Sequence, residues 1–394
     1  MAAGTAAERG LSVILAEPND RLGKKLRITG KGRCNLTNAC GQKEFLANVT
    51  TNPKFLYSSI AAFPPEAAVE FFENLGVRTK TERGRRVFPQ SDSANEVADA
   101  LADWVKCAGV RRMHSRVLQI MTAEDGRVCG IRTEKGIVDC GAVILCTGGL
   151  SYPATGSRGD GYRMAAELGH DIVPQRPSLV PLESPDAFCA QLSGFAPRNV
   201  QLTLLRDDKV IRQELGEMLF SHFGVTGPLV LSASTQMAKP GRYSLKIDFK
   251  PALDEQTLDA RILRDFERFQ NRDFANALQA LLPKSMIAVV VEKSGIPAGT
   301  KVHSVTKQQR HTLVQLLKAF PVEISGTRPI AEAIITAGGV NVKQVDPRTM
   351  QSKLVPGLYF AGEILDVDAF TGGYNLQIAW ATGRCAGLAA GKDI

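Results

Sequence analysis

The sequence predicts an α/β fold in which a parallel sheet is assembled from both ends of the chain and is interrupted by two inserts. Three observations carry this prediction. A helix, a glycine, a buried strand and an acid follow one another at the start of the chain. Glycine-rich turns follow later apolar strands, and the hydrophobic pattern changes over a long central stretch.

The N-terminal segment has the order of half a nucleotide-binding unit. Residues 2–9 are small and helix-compatible, and Gly10 stands where the residue after a helix belongs. Residues 11–16 have the pattern of a buried parallel strand that ends at Glu17. Helix, glycine, strand and acid form the second half of a dinucleotide-binding βαβ unit, so we expect a Rossmann-type domain.

Between this strand and the turn Thr147-Gly148-Gly149, the pattern predicts two helices and three strands. One helix covers residues 65–75, and the other runs from the N-cap candidate Ser93 to about Ala108. The strands cover residues 116–120, 128–133 and 137–145.

The later elements include the two inserts. Short alternating segments over 178–251 predict a β-rich insert, and charged periodic residues over 253–317 predict small helices. A strand pattern resumes at Phe320 and again over 333–336, just before a double glycine. A second double glycine then opens a long helix from Tyr374 to about residue 390.

These patterns divide the chain into one discontinuous domain and two inserts. The Rossmann-type domain takes residues 1–177 and 331–394. The β-rich insert takes 178–252 and 318–330, and the helical insert takes 253–317.

Composition excludes several classes of protein. The 394 residues are 44% hydrophobic and 22% charged, as in globular proteins, which excludes a disordered or fibrous chain. The longest apolar run, near residues 285–291, falls short of the ~20 residues that a membrane helix needs. No export signal is visible, so we expect a soluble cytoplasmic protein without a membrane partner.

The net charge of +8 (48 Lys and Arg against 40 Asp and Glu) is concentrated in two basic clusters, residues 21–33 and 78–86. Glycines stand between the cations of the first cluster, which suits a small phosphorylated ligand. Aromatic residues make up only 6% of the chain and none lies in that cluster, so nucleic acid is not the expected partner. The eight cysteines form no disulfide framework, and neither cysteines nor histidines have metal-ligand spacing, so no metal is expected.

Candidate site residues cluster near the two termini. The carboxylate of Glu17 can accept both hydroxyls of an adenosine ribose. Residues 30–35 combine flexible backbone N–H groups with fixed charges, as a pyrophosphate or the edge of a flavin ring requires. Gly148 and Gly149 let a strand end pass close to a flat ligand.

The C-terminal segment adds the pyrimidine end of such a ligand. A strand ends in Gly362-Glu363, a loop carries Asp366, and Gly372-Gly373 starts a helix of small residues. The free N–H groups at a helix start carry about half a positive charge, which suits the N1/O2 edge of a flavin as it is reduced. Together the two termini predict a flavin site.

Four motifs resemble the BaiN-like flavoproteins, a family also described as aminoacetone oxidase-like. The resemblance spans essentially the whole chain, and its motifs cover residues 27–38, 147–153, 220–228 and 357–379. It implies a Rossmann-type domain of the FAD/NAD(P)-binding fold, interrupted by a β-barrel-like insert and a small helical insert. It also implies an FAD-dependent oxidoreductase, with activities proposed for members being reduction of steroid-like unsaturated ketones and oxidation of an amino ketone.

The residues and the resemblance together give one set of expected FAD contacts, and NAD(P)H is a candidate electron donor. Val117 is expected to meet adenine through its backbone, and no catalytic acid or base is assigned. The set is Glu17, Lys25, Gly32, Arg33, Cys34, Asn35, Val117, Thr147, Gly148, Gly149, Gly362, Glu363, Asp366, Gly372, Gly373, Tyr374, Asn375, Leu376 and Gln377.

The chain departs from the family at its start. The family begins with a strand and a G-x-G-x-x-G fingerprint just before the point equivalent to Met1, and this sequence shows neither. We therefore expect a truncated start or weak FAD affinity, since that fingerprint supplies helix N–H groups to the pyrophosphate.

The leading functional hypothesis is hydride transfer between FAD and a small carbonyl or amine compound. One alternative is a dithiol–disulfide reductase that uses Cys34 and Cys40, although five residues separate them. Another is a flavin-dependent protein that binds nucleic acid through the cluster Arg83–Arg86. The oligomeric state is left open.

Overall fold

The computed structural model describes residues 1–392, which form two compact units. The first unit joins Met1–Ser178 to the chain from Pro329 onward, and the second is Leu179–Arg328. Each unit has its own cluster of buried apolar side chains, as a separately packed domain requires.

The helices are, in chain order, α1 (Ala2–Glu8), α2 (Lys24–Gly32), α3 (Gln42–Ala47), α4 (Tyr57–Ala62), α5 (Pro65–Asn74), α6 (Ala94–Cys107), α7 (Asp160–Glu167), α8 (Phe188–Gln191), α9 (Pro228–Ser234), α10 (Glu255–Arg268), α11 (Phe274–Ala277), α12 (Lys284–Ser294), α13 (Lys307–Lys318) and α14 (Tyr374–Ala389).

The strands are β1 (Ile14–Ala16), β2 (Thr37–Asn38), β3 (Val49–Thr51), β4 (Thr79–Glu82), β5 (Arg86–Pro89), β6 (Arg111–Met113), β7 (Val117–Thr122), β8 (Val128–Thr133), β9 (Gly136–Asp139), β10 (Val143–Leu145), β11 (Ile172–Ser178), β12 (Leu182–Glu183), β13 (Val200–Arg206), β14 (Lys209–Gly216), β15 (Leu219–Ser221), β16 (Gly224–Thr226), β17 (Tyr243–Asp248), β18 (Phe320–Ile324), β19 (Gly326–Thr327), β20 (Ile335–Val340), β21 (Leu358–Phe360) and β22 (Asp368–Ala369).

The first unit contains two parallel strand pairs, each a separate two-stranded sheet, where the sequence predicts one parallel sheet from both ends of the chain and no strand at β6. β1 pairs in parallel with β6, and β10 pairs in parallel with β21, so strand ends from both halves of the chain enter the same unit. The antiparallel sheet β7-β8-β9 lies between these segments in the chain. Loops that follow the carboxyl ends of parallel strands are the usual place for a nucleotide site in this class of fold.

The last helix ties the two ends of the chain together. Gly387 on α14 packs against α1 so closely that an added Cβ would lie 2.9 Å from the Cβ of Thr5. Arg9 donates from Nη1 to Ala390 O at 2.7 Å and to Gly387 O at 3.0 Å. Small residues on α14 thus allow a close helix contact that a larger side chain would prevent.

The second unit contains the insert elements. Two four-stranded sheets have the orders β14-β13-β17-β18 and β15-β16-β12-β19. Helices α10 to α13 follow β17, and apolar side chains from these helices and from β13, β17 and β18 share one core.

Two predicted strands differ from the structure. Residues 137–145 are two strands, β9 and β10, because the chain turns between them at Gly141, whose carbonyl faces Gly357 closely. The strand predicted over 333–336 is displaced to β20, which includes Gly338 and Gly339. Gly338 has φ +85° at a bulge against β11, where an added Cβ would overlap Pro174 O, so the double glycine belongs to the strand itself.

Candidate functional site

The acid that follows β1 is held in a fixed orientation. Glu17 Oε1 accepts hydrogen bonds from the backbone N and the Nδ2 of Asn19, both at 2.8 Å. Its other oxygen, Oε2, makes no hydrogen bond within residues 1–392. This arrangement leaves one carboxylate oxygen available to a hydroxyl group of a ligand.

The loop before β7 lies beside the Glu17 turn. His114 Nε2 lies 2.8 Å from Pro18 O, and Arg112 donates from Nη2 to Asn19 O at 2.5 Å. Val117 then begins β7 and pairs with Thr133. The structure therefore places the segment leading to Val117 next to Glu17, as a site for adenosine requires.

An ion pair joins the N-terminal and C-terminal segments at a second point. Lys25 Nζ, near the start of α2, donates to Glu363 Oε2 at 2.7 Å and to Ser151 Oγ at 2.6 Å. Glu363 Oε1 accepts from Ser151 Oγ at 3.0 Å and from the backbone N of Thr336 at 2.8 Å. Four segments of the first unit thus meet at the carboxylate of Glu363.

The glycines after β10 are required by this packing. Gly148 has φ +71°, in the left-handed region that favours glycine. An added Cβ at Gly149 would lie 2.6 Å from the Cβ of Thr336 and 3.1 Å from Glu363 Oε1. Thr147 Oγ1 is buried and has no hydrogen-bond partner among the described residues.

The segment after α2 binds directly to the start of α14. The amide of Asn35 accepts from Gly373 N at 3.0 Å and donates to Thr37 O at 3.1 Å. Thr37 Oγ1 donates to Gln377 Oε1 at 2.8 Å, and Asn38 Nδ2 donates to Gly372 O at 3.0 Å. Both Thr37 and Gln377 are fully buried.

This packing fixes the amino end of α14. Gly373 has φ +97°, and an added Cβ would overlap the backbone of Thr37. The N–H groups of Tyr374, Asn375 and Leu376 lie in the first turn, where a helix supplies no acceptor of its own. Their partial positive charge is the feature that suits a ligand edge carrying negative charge.

Other residues of the expected set have different surroundings. Arg33 is bound by the hairpin that follows, with Nη2 at 2.5 Å from both Glu82 Oε1 and Asp92 Oδ1, and it stacks on Phe88. Gly32 has φ +83° and open space around its Cβ position.

Cys34 and Cys40 are buried thiols. Burial raises the pKa of Cys34 to about 12 and that of Cys40 to about 11. Because the thiolate is the reactive form, the raised pKa values of the two thiols oppose the dithiol hypothesis.

Several residues of this site escaped the sequence reasoning. Thr37 and Asn38 lie in a motif that carries the family resemblance, so they could have been named. Ser151 follows the double glycine at a short distance, whereas Thr336 has no local signal. Its role depends on β20 lying beside the loop after β10, a contact between segments far apart in the chain.

Parallel strands followed by an acid and by glycine-rich turns, with a long helix starting at the same region, define a Rossmann-type FAD-dependent oxidoreductase. The chain belongs to the family described as HI0933-like protein Rossmann domain, whose family model matches residues 1–389.

Two curated relatives match almost the whole chain. A 3-dehydro-bile acid delta(4,6)-reductase from Clostridium scindens is 31% identical over 96% of this chain and 93% of its own. A ribosomal RNA dihydrouridine synthase from Escherichia coli is 29% identical over 96% of this chain and 91% of its own.

A solved structure shows the same fold. The 3-ketosteroid delta1-dehydrogenase from Sterolibacterium denitrificans, in complex with 1,4-androstadiene-3,17-dione, aligns with a TM-score of 0.50 at 13% identity. The alignment covers 98% of this chain and 96% of that one.

The residues present fit FAD, the cofactor of the family, at both ends of that molecule. Glu17 offers a free carboxylate oxygen for the adenosine ribose, and the first turn of α14 offers N–H groups for the pyrimidine edge. The unpartnered Thr147 Oγ1 is a further polar atom without a protein partner among the described residues.

The structure has no helix, within residues 1–392, that is long and apolar enough to cross a membrane. No cluster of metal-ligating side chains occurs in the same range.

Proposed function

We propose that the protein uses FAD to reduce a carbon–carbon double bond conjugated to a carbonyl group, with NAD(P)H as the electron donor. The names of both relatives describe such a reduction. A 3-dehydro steroid with delta(4,6) unsaturation is a conjugated ketone, and the uracil ring carries its reducible double bond next to a carbonyl. The shared reaction adds a hydride to the carbon remote from the carbonyl and a proton to the carbon beside it.

The observation that carries the proposal is the contact between residues 35–38 and the start of α14. Asn35, Thr37 and Asn38 hold Gly372, Gly373 and Gln377 through direct hydrogen bonds. A helix start fixed in this way presents its N–H groups without further rearrangement. Negative charge that develops on the pyrimidine edge of a flavin is stabilised by such preorganised donors.

Different residues of this chain contact different parts of FAD. When bound, FAD supplies the hydride chemistry. Glu17 binds the adenosine ribose through the oxygen that Asn19 leaves free. The Lys25–Glu363 pair keeps α2 and the loop after β21 together between the two ends of the site. Cys34, a neutral thiol within the same segment, takes no part in electron transfer.

A specific observation favours RNA as the carrier of the reduced base over a free steroid-like ketone. Arg78, Arg83 and Arg86 make no ion pair among the described residues, while Arg85 pairs with Glu44. These cations lie on and around the hairpin of β4 and β5. Asn38 Nδ2 binds Gly84 O and Gly372 O, both at 3.0 Å, which places this basic hairpin beside the start of α14. Cations without a carboxylate partner attract phosphate groups.

The test measures the reaction and the substrate together. The FAD-loaded protein is reduced anaerobically with NADH or NADPH and mixed with a 3-oxo-4,6-diene steroid acid or with uracil-containing ribosomal RNA fragments. We expect one of these substrates to reoxidise the flavin and to gain two hydrogens by mass spectrometry. Rapid reoxidation by oxygen together with no reaction of either substrate would contradict the proposal and favour amine oxidation.

Substitutions that remove positive charge from the hairpin test which of the two substrates the protein binds. Replacement of Arg83 and Arg86 by Gln is expected to weaken RNA binding and reduce its salt dependence, while turnover of the steroid acid stays unchanged. Arg268→Gln, on α10 of the second unit, is the matched control. Equal RNA affinity in all three proteins would contradict the role of the basic hairpin.

A further inference from the structure

Two carboxylates lie on the loop between Glu363 and the double glycine that opens α14. Asp366 is half-buried, whereas Asp368 is only 1% exposed. Asp368 Oδ2 accepts from Ser178 Oγ at 2.9 Å, but its Oδ1 is buried and has no hydrogen-bond partner among the described residues. An unpartnered carboxylate oxygen in the protein interior is costly, and the charge of Asp368 also acts on the neighbouring carboxyl group of Asp366.

This loop is clamped onto the first turn of α14. Asn375 Oδ1 accepts from Ala369 N at 3.0 Å, and Asn375 Nδ2 donates to Ala369 O at 2.9 Å. Asp366 N donates to Val340 O at 3.0 Å, which holds the other end of the loop against β20. Both carboxylates therefore lie on a rigid segment next to the helix start assigned to the flavin ring.

The surroundings of Asp366 favour its protonated form. Asn52, which adopts φ +52°, donates from Nδ2 to Asp366 Oδ2 at 3.0 Å and to Asp366 O at 2.8 Å. Burial, and then the nearby Asp368, raise the pKa of Asp366, against the opposing effects of Asn52 and of Arg176 on β11. A carboxyl group whose pKa is raised keeps its proton to a higher pH than an ordinary aspartate, which favours it as a general acid.

We propose that Asp366 is the acid that supplies the proton of the reduction, an inference that rests on the function proposed above. As hydride reaches the carbon remote from the carbonyl, the double-bond electrons move toward the carbonyl. The O–H bond of Asp366 then breaks, and its proton forms the new C–H bond at the carbon beside the carbonyl. The carboxylate that is left regains a proton from water, since Asp366 is only half-buried.

Other ionisable groups of the site are less suited to this role. Glu363 is held as an ion pair with Lys25 and accepts two further hydrogen bonds. Asp368 lacks access to water from which to regain a proton. Tyr162 donates to Glu363 O at 3.4 Å, and burial raises the pKa of its hydroxyl above the ordinary value.

The first test needs no cofactor or substrate. The infrared carbonyl band of protonated carboxylic acids is followed during a pH titration of the cofactor-free protein, with Asp366→Asn and the surface variant Asp103→Asn compared. We expect a band that persists to higher pH than those of ordinary aspartates, absent in Asp366→Asn and retained in Asp103→Asn. Loss of the whole band over the range of ordinary aspartates would overturn the inference.

The second test separates the two half-reactions. In Asp366→Asn we expect reoxidation of FAD by substrate to slow about 100-fold relative to the reduction of FAD by NAD(P)H in the same variant. Asp366→Glu, which keeps an acid, is expected to recover most of that rate. Reoxidation of Asp366→Asn at the unaltered rate would overturn the inference alone, whereas an unaltered protein that reacts with no conjugated substrate would overturn the proposed function and the inference with it.

Discussion

Thr37 Oγ1 donates a hydrogen bond to Gln377 Oε1 at 2.8 Å, although the two residues lie 340 positions apart in the chain. Both side chains are fully buried. Gln377 Nε2 completes the contact by donating to Phe63 O at 2.8 Å. A buried side-chain amide with both ends satisfied specifies one arrangement of its neighbours, since any shift would leave a polar atom unpaired.

Removal of the Thr37 hydroxyl should therefore destabilise the protein. Thr37→Val keeps the shape of the side chain but leaves Gln377 Oε1 without its donor. We expect a loss of about 1–3 kcal/mol in the free energy of unfolding, measured by denaturant titration. Thr81→Val, on the exposed face of β4, is the control and should change little. Equal stability of the two variants would contradict a structural role for this bond.

Gly373 is expected to tolerate no side chain. Its φ of +97° alone disfavours alanine by about 1–2 kcal/mol. In addition, the new Cβ would overlap Thr37 and force α14 away from residues 35–38. Gly373→Ala should therefore lose FAD during purification, measured by flavin absorbance. Gly109→Ala, with φ +82° and open space at its Cβ position, isolates the backbone cost and should keep its flavin content.

The Lys25–Glu363 contact predicts a difference between two adjacent lysines. Lys25→Gln leaves the half-buried carboxylate of Glu363 without its cation, whereas Lys24→Gln alters an exposed side chain that has no ion-pair partner within residues 1–392. We expect the first change to cost about 1–3 kcal/mol of unfolding free energy and the second to be neutral. Thermal melting of both variants at low and high salt provides the measurement. A similar effect of the two changes would show that the pair contributes nothing beyond general surface charge.

A drop in pH should lower the stability of the first unit, because His170 is buried there in its neutral form. This residue is buried, with Nδ1 at 3.1 Å from Ala165 O and Nε2 at 2.8 Å from Ser352 Oγ, and burial lowers its pKa from 6.5. The unfolded chain therefore binds a proton first, so the free energy of unfolding falls as pH drops below about 6.5 toward the lowered value. Denaturant midpoints between pH 7.5 and 5 should show this fall.

Two variants assign that pH dependence to His170. His170→Asn should be less stable at pH 7.5 but should have a flatter profile, because the group that titrates is gone. His311→Asn, at an exposed position of α13, should keep the full dependence. The assignment fails if the His170 variant keeps the slope of the unaltered protein.

The thiols offer a test of the dithiol alternative. Cys34 and Cys40 are buried with raised pKa values, whereas Cys107 is exposed at the end of α6. At pH 8 we expect a thiol reagent to modify Cys107 rapidly in the folded protein and Cys34 only after unfolding. Peptide mapping by mass spectrometry identifies the modified positions. Oxidation of Cys34 and Cys40 to a disulfide during turnover would reopen that alternative.

Local sequence was sufficient for the elements whose signals are local. Glu17 follows a parallel strand, as predicted, but β1 covers only Ile14–Ala16 and its residues are partly exposed instead of buried. The double glycine at 372 and 373 opens a helix whose end lies at Ala389. Hydrophobic periodicity and turn residues report on a segment without knowledge of its neighbours, so these features could be predicted.

The contacts between segments could not be predicted in the same way. Arg33 is one of the expected cofactor contacts, and its guanidinium is held by Glu82 and Asp92, which lie many residues later in the chain. The sequence pattern ends the predicted strand before the two glycines of β20, but the bulge against β11 makes them part of the strand. In both cases a partner strand decides the outcome, and periodicity within one segment carries no information about that partner.

The Trp380 indole donates to Leu36 O at 3.0 Å. Helix α14 therefore covers the N-terminal segment around Leu36 and satisfies one of its backbone carbonyl groups. During translation, α14 is synthesised long after the residues that it covers. Until α14 is made, residues 34–38 lack the helix that satisfies their polar groups. The unit Leu179–Arg328 is a continuous segment, and all of it is synthesised before α14. The unit Leu179–Arg328 is therefore free to fold before the contact between residues 34–38 and α14 can form.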